Sequence, residues 1–151
     1  MFFAPEFQLA CQDDSSSLLN MMEEFYSIDQ YPFKRGTASD NIRLFLSNES
    51  LGRIWMIRLD GETIGYVILT VCFSFEFQGK TAFIDELFIV AGARGKGIGG
   101  KVIEFVVQQA EHLQIKALHL EVERHNVTGN RLYLSRGFKE HNRFLMTRLI
   151  G

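Results

Sequence analysis

Cysteine is scarce in this chain. Its 151 residues hold two, Cys11 and Cys72, which excludes a disulfide-dense secreted scaffold; free thiols in a cytoplasmic protein are expected. Excess charge is missing too. A net charge of −2 leaves no basic footprint for nucleic acid, so no nucleic-acid partner is expected. No run reaches the ~20 apolar residues of a membrane span, and the opening MFFAPEFQLA lacks the basic start of a signal peptide. The histidines His112, His119, His125 and His141 form no close ligand pair. They are expected as satisfied or exposed imidazoles, and no metal site is expected. Repeats, linkers and low-complexity segments are absent. What remains is a chain of single-domain length, residues 1–151, with 46% hydrophobic residues to fill a core.

Against these absences stands Phe83 to Gly100, FIDELFIVAGARGKGIGG. An apolar strand runs into a loop with four glycines between Gly95 and Gly100, and a helix follows. Such a junction suits a phosphate, because glycines admit the backbone close to an anion and the helix N-terminus offers unpaired N–H groups and a positive dipole end. Three patterns compete for it. Gly95, Gly97 and Gly100 satisfy G-x-G-x-x-G, with Glu121 and Glu123 roughly 20 residues on, where a ribose-binding acid is sought. Gly95, Gly100 and Lys101 satisfy most of G-x-x-x-x-G-K, but Val102 replaces the Ser or Thr that binds magnesium. Arg94, Gly97 and Gly99 fit Q/R-x-x-G-x-G/A, the pyrophosphate loop of the GNAT N-acetyltransferases.

The order of elements separates these readings. Phe7 to Ala10 reads as a short strand. Asp13 or Asp14 caps a helix carrying Leu18, Leu19, Met22 and Phe25, and Ser27 to Gly36 reads as a loop. Ser39 or Asp40 caps a second helix with Ile42, Phe45 and Leu46 inward and Gly52 as its stop. Arg53–Leu59, Thr63–Phe77 and Thr81–Val90 read as three antiparallel strands, joined by Asp60-Gly61 and by Gln78-Gly79-Lys80. A helix from Gly99 to Leu113 presents Val102, Ile103, Val106, Val107 and Ala110. Ala117–Val122 is the next strand, in parallel crossover. A helix from Thr128 to Ser135 stops at Gly137, and Phe144–Ile150 reads as a closing strand. This is an α/β chain with a mixed sheet flanked by helices. It lacks the repeating βα order that Rossmann and P-loop folds require before the glycine loop, and a dinucleotide-binding oxidoreductase is the weaker alternative.

At this point the chain closely resembles the GNAT N-acetyltransferases. One signature is the loop Arg94-Gly95-Lys96-Gly97-Ile98-Gly99 and its helix. The second is Asn126 through Leu132-Tyr133 to Gly137-Phe138, similar to N-x-x-A-x-x-x-Y-x-x-x-G-F, with Gly129 where the family has a small Ala. The resemblance implies the acyl-CoA N-acyltransferase fold, a central, mostly antiparallel sheet with a splayed parallel pair, here Thr81–Val90 and Ala117–Val122. It implies acetyl-CoA as cosubstrate, with the pantetheine arm on the backbone of Leu87, Phe88, Ile89 and Val90. The pyrophosphate would lie on Gly95 to Gly100, with Arg94 and Lys96 adding charge and Asn126 and Tyr133 contacting the coenzyme. It also implies a homodimer as the assembly.

Acetyl transfer to an amine needs a base for the ammonium, whose pKa is near ~10.4, and an acid for the departing thiolate. Tyr133 matches the family's acid position. Asp85 and Glu86 are the base candidates, since two carboxylates inside an apolar strand are costly to bury without a purpose. Strand alternation puts them on opposite faces, and the resemblance, which implies an acid here, makes Glu86 the preferred base with Asp85 behind it. The expected activity is therefore N-acetylation of a primary amine on a small molecule or protein, without a metal. A non-catalytic coenzyme-binding sensor is the alternative. The acceptor is expected between the first two helices and the middle strands, near Asp29, Tyr31 and Phe33.

Overall fold

The computed structural model describes residues 4–151, so the first three residues of the N-terminal stretch lie outside the described residues. The chain forms two compact units, one ending at Glu121 and one from Val122 to Gly151.

The first unit is built on a sheet of order β1-β2-β3-β4-β5. β1 (Glu6–Leu9), β2 (Gly52–Leu59), β3 (Glu62–Ser74) and β4 (Gly79–Ile89) pair antiparallel in series. The β2–β3 turn has φ of 50° at Asp60 and 82° at Gly61, the doubly left-handed backbone that makes Asp-Gly a favoured hairpin pair. α3 (Ile98–His112) then leads to β5 (Ala117–Leu120), which runs parallel to β4. An antiparallel series ahead of the glycine loop leaves no place for the doubly wound sheet of a dinucleotide or P-loop fold.

Period-two alternation sorts the strand residues to two faces. Ile54, Met56, Tyr66 and Ile68 join Leu18, Leu19 and Met22 of α1 (Ser15–Ile28) and Ile42 of α2 (Arg35–Leu46) in one buried cluster. On the other face Trp55 and Phe7 meet Phe105 of α3, with ring centroids 5.3 and 4.1 Å apart. Each buried aliphatic or aromatic side chain contributes about 1.5–3 kcal/mol, so these two layers hold the first unit together.

Several expectations need correction. α2 begins at Arg35 rather than at a Ser39 or Asp40 cap, and no side chain caps it. Ala38 packs against the core cluster, and that contact extends the helix by a turn. Gly52 does not stop α2, which ends at Leu46; it opens β2, where an added Cβ would lie 1.8 Å from the Leu69 carbonyl oxygen. Val107 lies on the outer side of α3, 38% exposed.

The second unit contains α4 (Val127–Ser135). Gly137, at φ 91°, follows it in the left-handed conformation that ends helices. Phe144–Ile150 forms no strand: no ladder partner pairs with it among the described residues, and Phe144, Met146, Leu149 and Ile150 are at least 90% exposed. A strand pattern needs a neighbouring strand to take up its backbone hydrogen bonds.

Candidate active site

The β4–β5 ladder is short. It pairs Thr81 with Ala117 and ends at Ile84 with Leu120, while β4 continues to Ile89. The candidate residues begin where this ladder stops. On the other edge of β4, Ile84 pairs with Leu69 and Glu86 with Ile68, leaving Asp85 as an extra residue in a bulge. A bulge interrupts the alternation of faces. Asp85 and Glu86 consequently border the same cavity, which corrects the expectation of opposite faces.

Glu86 is held from two sides. The Tyr26 hydroxyl on α1 donates to its Oε2 at 2.7 Å, and the Tyr66 hydroxyl on β3 donates to its Oε1 at 2.7 Å. Burial raises the Glu86 carboxyl above its ordinary range; the two phenols oppose this by stabilising the anion, and Asp85 adds to the rise. Desolvation likewise raises Asp85, although part of its side chain meets solvent. Both phenols are pushed well up, first by burial and then by the neighbouring carboxylates, so they remain donors across the working pH range.

Sequence reading missed Tyr26 and Tyr66. Their signal was indirect: a phenol in an apolar pattern needs a partner when buried, as does an acid. The chain contained both needs but no local clue that they satisfy each other.

The cavity holds about 480 Å³, within the range of small-molecule sites. α1 and α2 wall one side, with Tyr26, Ile42 and Phe45. The connecting loop adds Phe33 and Lys34, and Ile54 and Ile68 supply the sheet floor. It therefore lies between the first helix pair and the middle strands. Phe33 lines it, while Asp29 and Tyr31 do not.

The glycine loop follows β4 through a short 3-10 turn, Ala91–Ala93. Gly95 and Gly97 both have φ of 75°, and Gly97 is the N-cap of α3. A Cβ at either would meet no atom within 4 Å, so backbone conformation, not crowding, is what favours glycine there. Ile98 and Gly100 are buried at the start of α3, Gly99 is half-buried, and Lys96 is exposed. Arg94 is turned back: its Nε donates to the Ile89 carbonyl at 2.7 Å, and its guanidinium lies 5.6 Å from the Phe88 ring centroid.

Backbone alternation refines the expected pantetheine edge. The Val90 N–H donates to Ile64 at 2.8 Å, toward β3. By the two-residue period, Glu86 and Phe88 also direct their backbone groups toward β3, and Leu87 and Ile89 direct theirs to the opposite edge. Of the four residues expected there, Leu87 and Ile89 offer backbone groups on that edge; Phe88 and Val90 do not.

In the second unit, Asn126 caps α4, its Oδ1 accepting from the Gly129 N–H at 2.9 Å. A Cβ at residue 129 would lie 2.6 Å from the Asn126 Nδ2 and 2.9 Å from its Cγ. Glycine at this position thus leaves room for the cap. Tyr133 packs edge-on to Phe138 with ring centroids 6.0 Å apart, and burial raises its phenol, keeping it protonated.

A family model described as Acetyltransferase (GNAT) family matches residues 17–138. An uncharacterized N-acetyltransferase of Bacillus subtilis, YhfO, is 33% identical over 128 residues, covering 85% of this chain and 83% of its own. The crystal structure of an integron cassette protein, HFX_CASS3, from the mobile metagenome of Cole Harbour Salt Marsh is similar with a TM-score of 0.86 at 31% identity, over 96% of this chain and 90% of that one. A predicted acetyltransferase with acetyl-CoA from Clostridium acetobutylicum shares the fold, with a TM-score of 0.81 at 16% identity over 96% of each chain. No helix among the described residues is long and apolar enough to cross a membrane.

Proposed function

This chain belongs to the acetyltransferase (GNAT) family and is an acyltransferase, and from that premise we propose that it transfers an acetyl group from acetyl-CoA directly to a primary amine. The observation that carries this reading is the carboxylate Glu86, held by two phenols at the edge of a small-molecule cavity where the β4–β5 ladder ends. Acetyl-CoA is the cosubstrate, as the Clostridium acetobutylicum relative in its complex supports.

Each residue has a role. The N–H groups of Gly95 to Gly100, at the α3 N-terminus, receive the pyrophosphate, with Lys96 adding charge beside them. Leu87 and Ile89 align the pantetheine arm through their edge-facing backbone groups. Arg94 braces the end of β4 through Ile89 rather than serving first as a phosphate ligand. Glu86, directly or through a water, takes the proton of the bound ammonium, and its raised pKa brings it closer to that task than an ordinary carboxylate. Asp85 keeps the local field negative, which attracts the cation.

The neutral nitrogen attacks the thioester carbonyl carbon, the C–N bond forms, the C–S bond breaks, and the nitrogen sheds its surplus proton to water to leave the amide. The sulfur leaves as a thiolate, for which Tyr133, held protonated, is the proposed acid. Asn126 orders the helix that carries Tyr133 and is the proposed second-unit contact with the coenzyme.

Thiol release from acetyl-CoA across a panel of amines tests the activity. Tyr133→Phe should lower turnover by about 10²-fold or more, the scale of general acid catalysis, with the coenzyme Kd unchanged. Unchanged turnover removes Tyr133 from the reaction. Coenzyme binding without thiol release for any amine would leave a sensor domain, and calorimetry showing NAD but not acetyl-CoA binding would overturn the reading altogether.

A further inference from the structure

We infer that the acceptor is a primary monoamine carried on an apolar, aryl-bearing body, rather than a polyamine, an aminoglycoside or a protein lysine. The inference rests on the transfer reading above and concerns only what the cavity admits.

The argument is one of charge count and distribution. Among the described residues that line the cavity, the only acids are Asp85 and Glu86, which are adjacent in the chain. A second cationic centre elsewhere in the same ligand would need its own partner, because an unpaired charge taken out of water is costly. The remaining lining supplies no further carboxylate; its polar groups Thr37, Asn41 and Thr70 are neutral. Its largest side chains are Tyr26, Phe33 and Phe45, and Met22, Ile42 and Ile68 line it too. The one lining cation, Lys34, repels a second ammonium.

The aromatic groups are not a random scatter. Tyr26 and Phe33 meet edge to face at 5.3 Å between ring centroids, and the same Tyr26 donates to Glu86. A ligand whose nitrogen reaches Glu86 therefore lies along an aromatic wall. Glu86 retains capacity for it: an ionised carboxylate has about four lone-pair sites, and the phenols occupy one on each oxygen. The volume, about 480 Å³, leaves room for an aryl group beyond a bare alkyl stem.

The test measures thiol release from acetyl-CoA with 2-phenylethylamine, tryptamine, spermidine, kanamycin and a lysine-containing peptide, using the intact protein. We expect kcat/KM for the two aryl amines to exceed that for the others by 100-fold or more. Thiol release with spermidine, kanamycin or the peptide preferred would overturn the inference and leave the transfer reading standing. No thiol release with any amine would overturn the transfer reading. Calorimetry of 2-phenylethylamine in the presence of coenzyme A then decides the cavity question by itself, with binding supporting the inference and no binding refuting it.

Two variants complete the test. Phe33→Ala should raise KM for 2-phenylethylamine about 10-fold or more beyond any change in KM for methylamine; equal effects on both amines would refute a wall for the aryl body. Lys34→Glu places a favourable charge at the α2 N-terminus, so folding is not at risk, and it should raise kcat/KM for spermidine a few-fold. No change, or a fall, would refute the charge argument.

Discussion

Replacing Tyr66 by phenylalanine should raise the Glu86 carboxyl further, and Tyr26→Phe should raise it by less. A hydrogen bond to a charged group is worth ~1.5–3 kcal/mol, and each lost donor disfavours the anion by that order. Tyr66 is fully buried, so no water replaces its hydroxyl, and the upper part of that range applies. Tyr26 is half-buried on the cavity wall, so water can take over part of its role. The direction follows from the donors: each phenol stabilises the anion, and losing one favours the protonated acid.

The assay is a ¹³C-carboxyl NMR titration of glutamate-labelled protein, with the Glu86 resonance assigned by its loss in Glu86→Gln. A midpoint that stays put in both variants, moves down, or moves further for Tyr26→Phe than for Tyr66→Phe would refute the reasoning. Linkage gives a second readout. The folded carboxyl titrates above its unfolded value of 4.5, so the folded state binds more protons between the two values. Stability is then greatest below the unfolded value and declines as pH rises toward the folded one. Tyr66→Phe should extend that decline to higher pH.

Three further outcomes are expected. Glu86→Gln should lower kcat by about 10²–10⁴, the contribution of a general base, with the coenzyme Kd unchanged by calorimetry; full activity would transfer the role to Asp85 or to water. Gly97→Val forces a β-branched residue to φ 75° at a cost of ~1–3 kcal/mol and puts bulk over the anion site; coenzyme binding should be lost while circular dichroism shows a folded protein, and retained affinity would move the phosphate site elsewhere. Gly129→Ala gains ~1 kcal/mol of helix propensity but displaces the Asn126 cap, worth ~1 kcal/mol. Thermal unfolding should therefore change little, and a clear rise in Tm would show that the cap contributes less than its geometry suggests.

Local patterns were legible where the chain carries its own cause. Asp60-Gly61 makes a hairpin because its residues accept positive φ, and the spacing of Leu18, Leu19 and Met22 puts one face of α1 inward. The helix after the glycine loop, the parallel β5 and the halt at Gly137 followed in the same way. The errors fell where neighbours decide. Ala38 lengthens α2 because a core lies beside it, and Gly52 serves the approach of Leu69 rather than a helix end. Phe144–Ile150 has a strand's composition and no adjoining strand among the described residues.

The site divides along the same line. Sequence alone determined that an acid pair interrupts an apolar strand and that a glycine loop opens the next helix, because both are consecutive runs of residues. Only the tertiary structure decided that the acids share one cavity, through a bulge defined by pairing with β3. It alone joined Glu86 to Tyr26 and Tyr66, partners 60 and 20 residues away in the chain. Periodicity encodes which face a residue takes within its own element. Which carboxylate keeps its proton depends on burial and on donors that arrive from other elements, and those exist only once the helices have packed on the sheet.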